Sequence, residues 1–307
     1  MIYKDWLTEW LADYIKPRTK KRTYKKYVKQ IENHIAPSLG GYELEELSAR
    51  VLQKFTAGLT ERGLAANTVN GIVSVLKSSI KRAAMLGVTE VQCTDAIVRP
   101  QAHEKNTECF GKDEQYKIEQ YIAESGDYKL AGILLCLYTG LRIGELLALT
   151  WHDIDLVKGV ITVSKTCYDE WRNGKYVKII DSPKTGNSCR TVPIPKPLIP
   201  KLKELKKKTQ SIYVVCGKTE YGAEVRSYQR TFERLLEKTG ISRRGFHALR
   251  HTFATRALEV GMDVKTLSEI LGHGDPTVTL KRYAHSLFEH KAEMMNRVGK
   301  LLYIYKN

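Results

Sequence analysis

The chain has 307 residues, 42% of them apolar, and 50 Lys and Arg against 34 Asp and Glu give a formal charge of +16. That size suits a globular protein of two domains, and the positive surplus seeks a polyanion, of which nucleic acid is the commonest. The longest apolar stretch, residues 131–141, is about half a membrane span and runs directly into Arg142, so no bilayer crossing is expected. The first residues meet charge before any apolar run, which excludes a secretory signal. No Gly-x-x-x-x-Gly-Lys-Ser/Thr loop offers a seat for nucleotide hydrolysis. The six cysteines include no Cys-x-x-Cys pair, which argues against a zinc knuckle or a disulfide framework and suits a reducing cytoplasm.

Residues 1–90 read as four amphipathic helices. Trp6, Leu7, Trp10, Leu11, Tyr14 and Ile15 recur at helical spacing and form one apolar stripe. The pattern predicts a second helix over 19–35, stopping before Pro37 and the Gly40-Gly41 turn. Ser48 is placed to cap a third, with Val51, Leu52, Phe55 and Leu59 facing inward and Gly63 ending it. Asn67 is placed to cap a fourth, which carries Ile72, Val73, Leu76, Ile80 and Ala83 and stops before Gly87. Between Lys16 and Lys29 stand eight basic residues, no acidic ones, and the tyrosines Tyr24 and Tyr27. Of these, Lys20, Lys21, Arg22, Lys25, Lys26 and Lys29 are candidate contacts to a phosphate backbone; a solvated charged face is the alternative.

From Val88 to Phe110 the periodicity lapses, and residues 91–110 read as an interdomain linker. The second domain, 111–307, opens with helical patterns over 112–125 and 128–138. A β-rich insert follows: 160–164 and 176–180 alternate, and 190–194 can pair beside them. Three or more helices run to the end, so the expected class is mainly α with a small β-sheet insert.

Five short segments of the second domain place unusual polar residues beside apolar ones. In Thr139-Gly140-Leu141-Arg142-Ile143-Gly144-Glu145, Arg142 follows a glycine turn at the start of an apolar helix. A half-buried guanidinium cannot discard its charge and needs an anion, either a phosphate or a carboxylate such as Glu145 three residues on; a purely structural salt bridge is the alternative. In Ser182-Pro183-Lys184-Thr185-Gly186-Asn187-Ser188-Cys189-Arg190-Thr191-Val192-Pro193, Lys184 stands at the tip or edge of a hairpin turn, within reach of a ligand or simply solvated. In Phe246-His247-Ala248-Leu249-Arg250-His251-Thr252, His247 and Arg250 are three apart on a helix. His247 and His251 are four apart, yet no third ligand and no zinc-protease glutamate accompany them, so no metal is expected. In Leu271-Gly272-His273-Gly274-Asp275, the glycines either let the backbone approach something closely or end a helix. Tyr283 closes the series as one of 17 tyrosines. Two arginines, a lysine, two histidines and a tyrosine suit phosphoryl transfer without metal: guanidiniums hold the non-bridging oxygens, lysine protonates an alkoxide, tyrosine attacks and histidine takes its proton.

These five segments, in this order, resemble the tyrosine recombinase (phage integrase) family across about residues 110–290, and residues 1–90 resemble its helical core-binding domain more weakly. The resemblance implies a C-shaped clamp on double-stranded DNA at a recombination site, with no cofactor. It assigns Tyr283 as the nucleophile that forms a 3′-phosphotyrosine, Arg142 and Arg250 as phosphate holders, and Lys184 as the acid for the leaving 5′-oxygen. His247 becomes the proton acceptor, His273 a hydrogen-bond donor to the phosphate, and Glu145 a support for the arginines. It also implies a homotetramer exchanging strands through a Holliday junction, with an accessory excisionase or DNA-bending protein as a further partner. The tail stripe of Met294, Val298, Leu301 and Leu302 is expected to dock on a neighbouring protomer. The core-binding-like helices begin almost at Met1, so the protein either lacks the arm-binding domain of many integrases or has been trimmed. The leading reading is a cytoplasmic integrase of a mobile element. The alternatives are a Xer-like housekeeping resolvase or invertase, a topoisomerase, and a non-catalytic DNA-binding protein on a recombinase scaffold.

Overall fold

The computed structural model describes residues 1–91, 93–102, 109–182, 189–216, 222–277, 295–296 and 298–300. It divides into two compact units, Met1–Lys105 and Asn106–Asn307. Among the described residues no helix is long and apolar enough to cross a membrane.

The first unit is helical. Helix α1 (Tyr3–Glu9) runs into a π-helical turn (Trp10–Ile15). The apolar stripe explains the wider turn: Trp6, Trp10 and Tyr14 repeat every four residues, a longer period than the 3.6 of an α-helix. An i→i+5 turn, closed here by Lys16 N–H donating to Leu11 O at 2.9 Å, slows the rotation of the stripe away from the core. Trp6, Leu7 and Trp10 are consequently buried. Helix α2 (Lys21–Gln30) does not stop before Pro37 as the sequence suggested. It continues through a second π turn (Ile31–Ile35) into α3 (Ala36–Leu39). Pro37 sits in the first turn of α3, where a missing N–H costs least.

Helix α4 (Ala49–Glu61) is capped by Ser48, whose Oγ accepts from Val51 N–H at 3.4 Å. Helix α5 (Ala66–Met85) takes Ala65 as its N-cap, so Asn67 lies inside the first turn and is not the cap the sequence offered. These helices enclose one core, in which Tyr3 Oη and Ser79 Oγ lie 2.6 Å apart and Trp6 Nε1 donates to Ser79 O at 3.0 Å. Part of the segment read as linker packs here too. Ile97 is buried, and Val98 N–H donates to Gln53 Oε1 at 2.8 Å.

The second unit is mixed. Helix α6 (Lys112–Ser125) leads through a 3-10 turn (Tyr128–Leu130) into α7 (Ala131–Thr139), followed by the short α8 (Ile143–Ala148). Strands β1 (Ile154–Asp155), β2 (Val160–Val163) and β5 (Arg190–Pro193) form a three-stranded antiparallel sheet in the order β1-β2-β5. Strands β3 (Thr166–Arg172) and β4 (Lys175–Asp181) form a separate hairpin. Segment 190–194 therefore pairs with β2 alone, with Val163 opposite Arg190, rather than beside both earlier strands. Strand β3 escaped the sequence reading. Its signal was Asn173-Gly174, both at positive φ (48° and 76°), the pair favoured in two-residue hairpin turns.

Helices α9 (Leu198–Lys208), α10 (Val225–Lys238), α11 (His247–Glu259) and α12 (Val264–Leu271) complete the described fold. Asp169 of β3 ties the hairpin to α10 by accepting from the Val225 and Arg226 amides at 3.1 and 2.9 Å. The core lies between α7, α8, the three-stranded sheet and α9–α11.

Candidate active site

Two sequence-distant turns and one helix carry the candidate residues. Helix α7 ends at Gly140, whose φ of 67° belongs to the left-handed region that glycine adopts without strain. The chain then turns sharply, so Arg142 becomes the residue preceding α8 and Glu145 sits in that helix's first turn. Helix α12 ends at Gly272, also left-handed (φ 64°), which places His273 immediately beyond it.

Glu145 is 5% exposed, and its carboxylate is gripped from two sides. Arg142 donates its amide to Oε2 at 2.9 Å and its Nη1 to Oε1 at 2.7 Å. Burial alone would push this carboxyl up, but the Arg190 and Arg142 guanidiniums and the Arg142 amide outweigh it and bring its pKa down to about 2. The pairing expected between Arg142 and Glu145 is thus present in the fold. The Arg142 side chain remains 36% exposed, with Nη2 at 3.4 Å from Gly272 O.

Arg250 projects from α11 into the protein and is 2% exposed. Its Nη1 donates to Gly140 O at 2.9 Å and its Nη2 to Leu271 O at 2.7 Å, and Nη2 lies 2.9 Å from His273 Nε2. The structure therefore gathers Arg142, Glu145, Arg250 and His273 about the turn that ends α12. His247, the first residue of α11, is exposed and meets buried His251 edge-to-face at 4.6 Å between ring centroids. Lys184, Tyr283, Met294, Leu301 and Leu302 lie outside the described residues; Val298 is described and is 45% exposed. Of the basic run, Lys21, Arg22, Lys25, Lys26 and Lys29 are exposed and Lys20 is half-buried.

Arg190 is the residue the sequence reading missed. It opens β5, is 6% exposed as a side chain, and grips both Glu145 oxygens, Nη1 to Oε1 at 3.1 Å and Nη2 to Oε2 at 2.9 Å. Its Nε donates to Ile270 O at 2.5 Å. The available signal was parity: Arg190 shares the inward face of the strand with Val192, which is 1% exposed, and an arginine at such a position demands a buried anion. Three guanidiniums against one carboxylate leave the cluster net positive, fit for an anionic group such as a phosphodiester.

The family described as "Phage integrase family" matches residues 108–290, and "Phage integrase, N-terminal SAM-like domain" matches residues 2–60. A protein named "Tyrosine recombinase XerC-like", from Caldanaerobacter subterraneus subsp. tengcongensis, is 33% identical over 302 residues, covering 90% of this chain and 77% of its own. The ICEBs1 integrase of Bacillus subtilis is 27% identical over 283 residues, covering 89% of this chain and 76% of its own. The fold is similar to that of the Tn1549 transposon integrase solved with a circular intermediate DNA, at a TM-score of 0.82 and 22% identity, over 97% of this chain and 99% of that one. A lambda integrase dimer bound to a core site shares the fold at a TM-score of 0.70 and 20% identity, over 92% of this chain and 77% of that one.

Proposed function

The chain belongs to the phage integrase family and is a site-specific DNA recombinase of the tyrosine type, and from that premise we propose that it integrates and excises a mobile element through the residues gathered at the end of α12. The observation that carries the reading is the convergence of Arg142, Arg250 and His273, from three separate segments, on the turn at Leu271–His273. Two guanidiniums and an imidazole there can grip the non-bridging oxygens of one phosphodiester and stabilise the charge that grows in the transition state.

The Tyr283 phenol oxygen attacks phosphorus; the bond from phosphorus to the 5′-oxygen breaks while a 3′-phosphotyrosine forms. His247 takes the phenol proton, and Lys184 gives a proton to the departing 5′-oxygen. The phosphotyrosine keeps the ester bond energy, so the reverse attack by another 5′-hydroxyl rejoins strands without ATP. Double-stranded recombination sites are the substrate, and a homotetramer acting in the cytoplasm is the working assembly. Solved relatives include a lambda integrase tetramer on a Holliday junction, which supports that assembly. An excisionase or DNA-bending protein is a further partner, and the tail after Tyr283 docks on the neighbouring protomer.

A second reading, resolution of chromosomal DNA, is favoured by the likeness to the XerC-like relative. One experiment separates them. The protein and its Tyr283→Phe variant are mixed with nicked fragments of the source organism's DNA, and the DNA in SDS-resistant adducts is sequenced. A wild-type-only adduct at the ends of an element flanked by direct repeats supports the integrase reading; one at a single chromosomal site supports the resolvase. An adduct from the Phe variant removes Tyr283 as the nucleophile. Binding without any adduct favours a scaffold that only binds.

A further inference from the structure

We propose that Arg190 is a positioning residue for the phosphate clamp, fixing the direction of the Arg142 guanidinium by gripping both oxygens of Glu145 and the backbone at the end of α12. The inference rests on the recombinase reading. A carboxylate presented to Arg142 alone could rotate and accept both of its terminal nitrogens, drawing the fork away from a substrate. Here Arg190 takes one position on each oxygen, Oε1 at 3.1 Å and Oε2 at 2.9 Å. Arg142 is left to reach Oε1 through Nη1 and Oε2 through its amide, at 2.7 and 2.9 Å. Its other terminal nitrogen, Nη2, is turned toward Gly272 O at 3.4 Å, on a side chain that is still 36% exposed.

The same arginine also fastens the opposite wall. Its Nε donates to Ile270 O at 2.5 Å, one residue before the carbonyl that holds Arg250 and two before the one facing Arg142. Gly272 makes this approach feasible: a Cβ there would stand 3.0 Å from Nη1, 3.1 Å from Cδ and 3.2 Å from Cζ of Arg190. Arg190 thus ties Glu145, the anchor of Arg142, to the end of α12, whose Leu271 carbonyl holds Arg250, while being 6% exposed itself. A charged residue so deep, bonded to both walls, acts through its neighbours.

The test uses the full chain and a nicked duplex of the sequence recovered from the wild-type adduct. Single-turnover adduct formation is measured for wild type, Arg190→Met, Glu145→Gln and the double variant, with duplex affinity measured in parallel. Arg190→Met is expected to slow adduct formation on the order of 100-fold while leaving affinity within about 3-fold, as misplacement of a clamp by about an ångström does. The double variant should be less defective than the product of the two single variants, because both remove the Arg190–Glu145 linkage.

Multiplying defects in the double variant, or affinity falling as steeply as rate, would overturn the proposal. So would recovery of Arg190→Met on a duplex with sulfur at the scissile 5′ position. A thiolate leaves without a proton donor, so recovery would assign the defect to leaving-group protonation instead. If Arg190→Met does not fold, Arg190→Lys combined with Glu145→Gln gives the same cycle with the charge kept. No adduct from wild type strikes at the recombinase reading; a wild-type adduct with multiplying variants strikes at this inference alone.

Discussion

Glu145 is the residue on which the cationic cluster is organised, and its chemistry sets an acid limit. Its carboxyl has a pKa of about 2, against 4.5 ordinarily, so it is ionised more readily folded than unfolded. The stability this confers is present in full above about pH 4.5 and is lost as pH falls toward 2, an effect of about 3 kcal/mol. Glu145→Gln should lower stability at pH 7 by a similar amount and flatten its dependence between pH 4.5 and 2. Urea melts across that range check it; equal acid slopes in the two proteins would refute it. At this scale the sequence showed Arg142, Glu145, Arg250 and His273 as candidates, because arginine beside glycine and apolar residues is conspicuous. It concealed Arg190, since a lone arginine after a polar turn looks solvated until its strand register is known.

At the scale of elements, glycines at positive φ decide where helices stop and therefore where the site residues stand. Gly140 has a φ of 67°, and a Cβ on it would lie 2.6 Å from Phe253 Cδ1 and 2.8 Å from Leu271 Cδ2. Gly140→Ala should cost about 2–4 kcal/mol, backbone strain and overpacking together. Gly63 has a φ of 77° with nothing within 4 Å of a Cβ, so Gly63→Ala should cost about 1 kcal/mol, from strain alone. Equal losses in denaturant melts would show that the crowding around Gly140 is not felt. The helices of the first unit were legible because their stripes are long, while the passage of α2 through Pro37 was not. The π turn at Ile31–Ile35 that precedes Pro37 is a packing outcome, and local propensity reads proline as a stop.

For the whole molecule, the charge of +16 is a statement about partners. Lys21, Lys25 and Lys29 are exposed and four residues apart along α2, so they share a helical face. Replacing the three with Gln should reduce the slope of log affinity against log salt by about 2–3, and should leave adduct formation at saturating protein nearly unchanged. Filter binding of duplex DNA between low and moderate salt reads this directly; an unchanged slope would return α2 to the status of a solvated face. Each unit has its own core.

The sequence by itself determined the mainly helical class and the core faces of most helices, and it singled out Arg142, Glu145, Arg250 and His273 as candidates. These depend on side-chain type and short-range spacing, which a linear pattern carries. The strand partners, the course of the chain through Pro37 and the place of Arg190 were decided only by tertiary structure. The grip of Arg190 on Glu145 joins residues 45 apart, and its bond to Ile270 joins residues 80 apart. No local pattern specifies which buried cation will meet which buried carboxylate; the packing of α8, β5 and α12 around them does.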